Sequence, residues 1–204
     1  MLHMSTKMYV FVVVSALAAG CSDDDSGLNF QDDDSSESPP GAQQGSGGSA
    51  GSLGGSAPSD SPCWKTIAGS QGVIPVCCDP QGTEKDMVSR ALELLNAHRM
   101  SNGKSPLMRD DKLEAAMQGH VRHMVSRGFF SHTAPEPAVA AFSARARLCG
   151  TSAGGENIAS GQRSPEEVMM SWKNSSGHNA NMLGNFTRIG IGFHQGRWGQ
   201  IFAR

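Results

Sequence analysis

Five cysteines and seven histidines carry most of the chemistry open to this 204-residue chain. With Cys21 set apart, Cys63, Cys77, Cys78 and Cys149 remain, an even number that in an exported chain points to two disulfides with three possible connectivities. Adjacent Cys77 and Cys78 bond each other only with severe strain, so each is expected to pair elsewhere, one with Cys63 and one with Cys149. A zinc site is the competing reading, but the CxxC spacing that such sites use is absent. Among the histidines, His120 shares a stripe with Leu113 and Met124 and is expected to be a satisfied, structural side chain facing the core or a cleft floor. His123, three residues on, could share a metal with it, yet nothing completes that site. His98 and His194 sit in no motif. Gly150-Thr-Ser152-Ala-Gly154 matches the nucleophile elbow G-x-S-x-G, which needs a preceding strand, a following helix, and an acid and then a histidine downstream. No Asp follows Ser152, and Gly155-Glu156-Asn157 reads as continuing loop, so the match is rejected. An H-E-x-x-H helix, a phosphate-cradling Gly loop with Lys and a dinucleotide fingerprint are all missing.

The elements that must position these groups are legible after residue 83. Thr83-Glu-Lys-Asp86 can start a helix carrying Met87, Val88, Ala91, Leu94 and Leu95 on one face, ended by Asn102-Gly103 and Ser105-Pro106. A second helix follows Asp110, aligns Leu113, Ala116, Met117, His120 and Met124, and closes at Gly128. Ser164-Pro165-Glu166-Glu167 combines an N-cap, a first-turn Pro and a capping-box Glu, and that helix carries Val168, Met169 and Trp172. Thr187–His194 and Arg197–Ala203 read as strands joined at Gln195-Gly196. Helices segregated from a terminal hairpin indicate an α+β or layered α-β-α domain.

The first 61 residues are of another kind. Lys7, the apolar run Met8–Ala18 and the small residues before Cys21 read as an export signal over 1–21, too short for a membrane-spanning helix. Leu17-Ala18-Ala19-Gly20-Cys21 resembles a bacterial lipobox, with Ala18 where Leu is more usual, so Cys21 is the expected lipidation site and membrane partner. Residues 22–61, an acidic stretch followed by Gly/Ser-rich chain, hold too little apolar surface to fold and are expected to form a disordered tether. Some 40 flexible residues span roughly 35 Å on average. Eight of the acidic residues and one Lys precede residue 62, which leaves 16 Lys/Arg against 11 Asp/Glu in the remainder, or +5. That excess is scattered and lacks interleaved aromatics, so no nucleic-acid partner is expected. Residues 62–82 would be a Cys-containing N-terminal extension, and 83–204 the domain proper.

Within 83–204 several phrases coincide with one family. Leu95-Asn96 with Arg99, Asn102-Gly103 and Pro106-Leu107 resemble the first helix and turn of bacterial CAP domains (SCP, YkwD-like). So do His120-x-x-x-Met124 running into Gly128-Phe129-Phe130-Ser131-His132, and Gly155-Glu156-Asn157-Ile158-Ala159. Trp172 with Ser176-Gly177-His178-Asn179-Ala180-Asn181 resembles the second histidine motif, and Gly190-Ile191-Gly192 with Trp198-Gly-Gln-Ile-Phe202 the closing strands. The resemblance implies a three-layer α-β-α sandwich with a shallow central cleft.

It also implies the cleft residues. Carried across position by position, the histidines are His132 and His178 and the first glutamate is Glu156, while Ser175 stands where a second glutamate is common. His120, Asn157, Ser175 and Asn181 would line the same cleft. His132, His178 and Glu156 would make a partial site for weakly held Zn2+ or a similar divalent ion, with an open position for water. Two functions follow as expectations. One is a monomeric binding module, tethered at the cell envelope on its periplasmic or cell-surface face, that engages an envelope lipid or protein. The other is a metal-assisted peptidase or esterase with Glu156 as general base, which the loss of the second carboxylate at Ser175 weakens.

Overall fold

Asp110 and Gly128 bound the helix around which the other elements are arranged. In the computed structural model, which describes residues 62–204, the Asp110 side chain accepts hydrogen bonds from the backbone N–H groups of Lys112 and Leu113, and Gly128 takes the left-handed conformation that closes the helix. Between them runs α2 (Asp111–Arg127), preceded by α1 (Thr83–Ser101) and the short strand β3 (Met108–Arg109). Upstream lie strands β1 (Cys63–Gly69) and β2 (Gly72–Cys78). Downstream come a 3-10 turn at Pro137–Val139, then α3 (Phe142–Leu148), β4 (Gly155–Ser160), α4 (Pro165–Asn174), α5 (Ser176–Met182), β5 (Arg188–His194) and β6 (Arg197–Ala203).

Strands β3, β5, β6 and β4, in that order, form the central sheet, antiparallel except for β3 beside β5. On one face α1, α4 and α5 bury Val88, Leu95, Met169, Trp172 and Met182 against Ile189, Ile191, Trp198 and Phe202. On the other, α2 and α3 bury Leu113, Met117, Val121, Met124 and Ala146 against Ile158 and Ile201. This is the three-layer α-β-α sandwich that the resemblance implies. A fourth layer covers α2 from outside: the β1–β2 hairpin sets Ile74 and Val76 on Ala115 and Ala116. A helix enclosed on both sides needs close approach, and glycine supplies it. A Cβ at Gly190 or Gly192 would overlap the α2 backbone, and one at Gly119 would overlap the carbonyl of Val76.

The cysteines form two disulfides, Cys63–Cys78 and Cys77–Cys149, which overturns the zinc alternative and fixes the partner of each adjacent cysteine. The second bond joins β2 to the end of α3. Several elements differ from the sequence reading. Residues 62–78 are a hairpin where no element was expected, and Gly155–Ser160 is a strand where loop was expected. Gly and Asn are poor strand formers, and this segment is extended because it pairs along its length with β6. At α4 the Ser164 hydroxyl accepts from the Glu167 N–H as expected, but Glu167 returns its bond to the N–H of Arg163. The export signal, the lipidation site Cys21 and the tether lie outside the described residues.

Candidate functional site

Glu156 is the second residue of β4, and its side chain enters the α2–α3 layer while Asn157 turns to the opposite face beside α5. Both carboxylate oxygens of Glu156 are engaged. Oε1 lies 2.9 Å from Nδ1 of His132, and Oε2 accepts from Nη2 of Arg145 at 2.6 Å. Glu156 and Arg145 side chains are almost wholly buried, whereas the His132 side chain is 53% exposed. Arg145 is held through both terminal nitrogens, while its buried Nε makes no hydrogen bond. Its Nη1 donates to the carbonyls of Val139 and Ala140, both at 2.8 Å, and its Nη2 also reaches the carbonyl of His132 at 3.2 Å. One guanidinium thus fixes a carboxylate on β4 and the backbone of the loop that carries His132. Burial lowers the Arg145 pKa, and the facing Glu156 carboxylate opposes that shift.

Fixing the carboxylate on Nδ1 sets the tautomer of His132. A neutral imidazole that donates from Nδ1 presents Nε2 as an acceptor, and in the protonated ring Nε2 becomes a donor. His178 is half-buried on α5 and within electrostatic reach of His132. Its pKa is lowered by burial and then by the charge of His132. The backbone around it is locked by an amide network. Asn157 Nδ2 donates to the His178 carbonyl at 3.1 Å and to Gln200 Oε1 at 3.0 Å. Asn181 Nδ2 donates to Asn157 Oδ1 at 2.9 Å and to the Glu156 carbonyl at 3.2 Å. Ser175 caps α5 through its backbone, its carbonyl accepting from the N–H of Asn179 at 2.8 Å.

The three side chains expected as metal ligands are not gathered into one group among the described residues. His132 and Glu156 touch, and His178 is near enough for charge to couple it to His132. Among the described residues, however, no group of three His, Cys, Asp or Glu side chains is arranged to hold a metal ion. The donor set explains this, because Glu156 has given both oxygens to Arg145 and His132. His120 is buried on α2 with Nε2 3.0 Å from the Ser131 carbonyl, and its pKa falls well below the ordinary value through burial, then the charges of Arg145, His123 and His132. It supports the loop ahead of His132 as a neutral side chain. His123 does not join it. Its Nε2 stands 3.0 Å from Glu136 Oε2, and its ring meets Phe129 edge-on at 5.0 Å.

Sequence reasoning missed Arg145. The one available sign was its place a turn before Cys149, on the same face of α3. It also missed roles for two histidines outside motifs. His98 Nε2 lies 2.7 Å from Asn179 Oδ1, and His194 Nδ1 lies 2.7 Å from Glu84 Oε1.

A sequence model of the cysteine-rich secretory protein family (CAP) matches residues 92–202. The uncharacterized protein YkwD of Bacillus subtilis (strain 168) is 36% identical over 105 residues, 51% of this chain and 41% of that protein. Among solved structures, an extracellular protein containing an SCP domain from Bacillus anthracis str. Ames aligns with a TM-score of 0.57 at 27% identity, covering 59% of this chain and 41% of that one. An outer surface protein from Borrelia burgdorferi aligns at 0.53 with 19% identity, covering 61% of this chain and 96% of that one. The matched region therefore spans about two fifths of the length of the two Bacillus relatives.

Proposed function

The chain belongs to the cysteine-rich secretory protein (CAP) family, and on that premise we propose that it is an exported, lipid-anchored binding module whose His132–His178 cleft engages an envelope lipid or protein. The observation that carries this reading is the half-exposed His132 ring, oriented through Nδ1 by a carboxylate that is itself held by a buried arginine. That is a prepared hydrogen-bonding group at a protein surface. Export is supported by the two disulfides and by relatives described as extracellular or outer-surface proteins. Anchoring is supported by the lipobox-like ending at Cys21. A hydrolase with metal-bound water and Glu156 as general base finds no support in the donor set, since a carboxylate paired with Arg145 is poorly placed to take a proton.

The test is binding of the full chain to a panel of envelope lipids in vesicles and of envelope proteins, in metal-free buffer. His132→Ala and His178→Ala are expected to weaken binding about tenfold, the worth of one lost hydrogen bond. Cys21→Ser is expected to move the protein from the membrane fraction to the soluble fraction. Binding unaltered by both histidine substitutions would remove the cleft from the reading.

A further inference from the structure

We propose that Arg145 is a positioning residue that supplies this site with its own cation, standing where a divalent metal would otherwise bridge Glu156 to an imidazole. Both oxygens of the Glu156 carboxylate are engaged. Glu156 is 6% exposed, and its two oxygens are used by Arg145 at 2.6 Å and His132 at 2.9 Å. A metal ligated by Glu156 would have to displace one of these partners or share an oxygen with it. Arg145 cannot be displaced cheaply, because the same guanidinium satisfies the buried carbonyl of Val139, which would lose its donor, and also reaches the part-buried carbonyls of Ala140 and His132. Nor can a dication share the carboxylate, since it would lie against a fixed positive charge in a poorly screened interior. Guanidinium suits this place, because its planar fork reaches several acceptors at once and keeps its charge when buried.

The chain builds the same unit a second time, away from the cleft. Glu84 lies between His194 Nδ1 at 2.7 Å and Arg122 Nη2 at 2.6 Å, and it also accepts from Gln118 Nε2 at 3.2 Å. There the unit ties α1, α2 and β5 together. A carboxylate closed between an imidazole and a guanidinium is thus a self-sufficient arrangement in this protein. At Glu156 it differs in leaving its imidazole half open to solvent. The consequence is a His–Glu dyad oriented without metal, whichever ligand the cleft takes.

The experiment is a Zn2+ titration of the full chain, followed by thermal melting and by the side-chain 15N signals of His132 and His178, for wild type, Arg145→Met, and Arg145→Met combined with His132→Ala. Wild type is expected to show no Zn2+-dependent rise in Tm and unmoved signals, with His132 in the tautomer protonated at Nδ1. Arg145→Met is expected to gain a Zn2+-dependent rise that the added His132→Ala abolishes. The proposal is overturned by a Zn2+ response of wild type at His132, or by an Arg145→Met protein that folds yet stays indifferent to Zn2+. If Arg145→Met does not fold, the wild-type titration decides alone. A flat response leaves the ligand-binding reading intact, and failure to bind ligand in metal-free buffer leaves this one intact.

Discussion

Polar side chains inside this domain are worth more as holders of backbone than as reagents. Asn96 shows it most simply, giving Nδ2–H to the Leu107 carbonyl at 3.1 Å and taking the Leu107 N–H on Oδ1 at 2.8 Å. Arg99 does the same with the carbonyls of Ser105, Met182 and Gly184. His120 belongs with them, but it titrates. Its folded-state pKa is depressed, by burial first and then by Arg145, with the Ser131 carbonyl acting in the other direction. The unfolded chain therefore binds the proton more readily, and stability is lost as pH falls below about 6.5, the ordinary imidazole value. His123 and His178 shift in the same sense. Replacing His120 with Gln is expected to flatten the fall in stability between about pH 7 and pH 5 by up to one proton's worth, about 1.4 kcal/mol per pH unit. Urea midpoints across that range measure it, and an unchanged slope would show that other groups carry the acid sensitivity. His132, Glu156 and Asn157 were legible in the sequence as parts of short motifs. Arg145 was not, because its function depends on a loop carbonyl and a strand carboxylate that no local spacing reports.

At the level of elements, what could be read was what obeys a period or a cap. The Asp110 and Ser164 caps, the Gly128 stop and the terminal strands all follow local rules. The strand Gly155–Ser160 does not, since it is extended by its partner rather than by its own residues, whereas the hairpin before α1 carries its own strand formers, Thr66, Ile67, Val73, Ile74 and Val76, about Gly69–Gly72. Gly119 links the two kinds of knowledge. Inside α2 it contradicts helix propensity, and the reason lies in the hairpin, whose Val76 backbone passes where a Cβ would be. Gly119→Ala should gain about 1 kcal/mol of propensity and lose about 1–3 kcal/mol to overpacking. A lower denaturation midpoint is the expected result. A higher one would mean that the hairpin moves off α2 without cost.

The whole domain is a sandwich with an added cover, sewn to it by cysteines far apart in the chain. Cys77–Cys149 closes 72 residues and Cys63–Cys78 closes 15. On loop-closure entropy these contribute roughly 4 and roughly 3 kcal/mol, so Cys77→Ser with Cys149→Ser should lower the melting temperature more than Cys63→Ser with Cys78→Ser. The reverse order would mean that the hairpin's own closure matters more than its attachment to α3. This layout also determines how the domain bears tension. A pull applied at residue 62 reaches Cys63 and crosses at once to Cys78, bypassing the β1–β2 ladder, and from neighbouring Cys77 it is shared with the end of α3. Under oxidising conditions the hairpin cannot be peeled open from that end like a zipper. Reduction would return the load to a short run of hydrogen bonds.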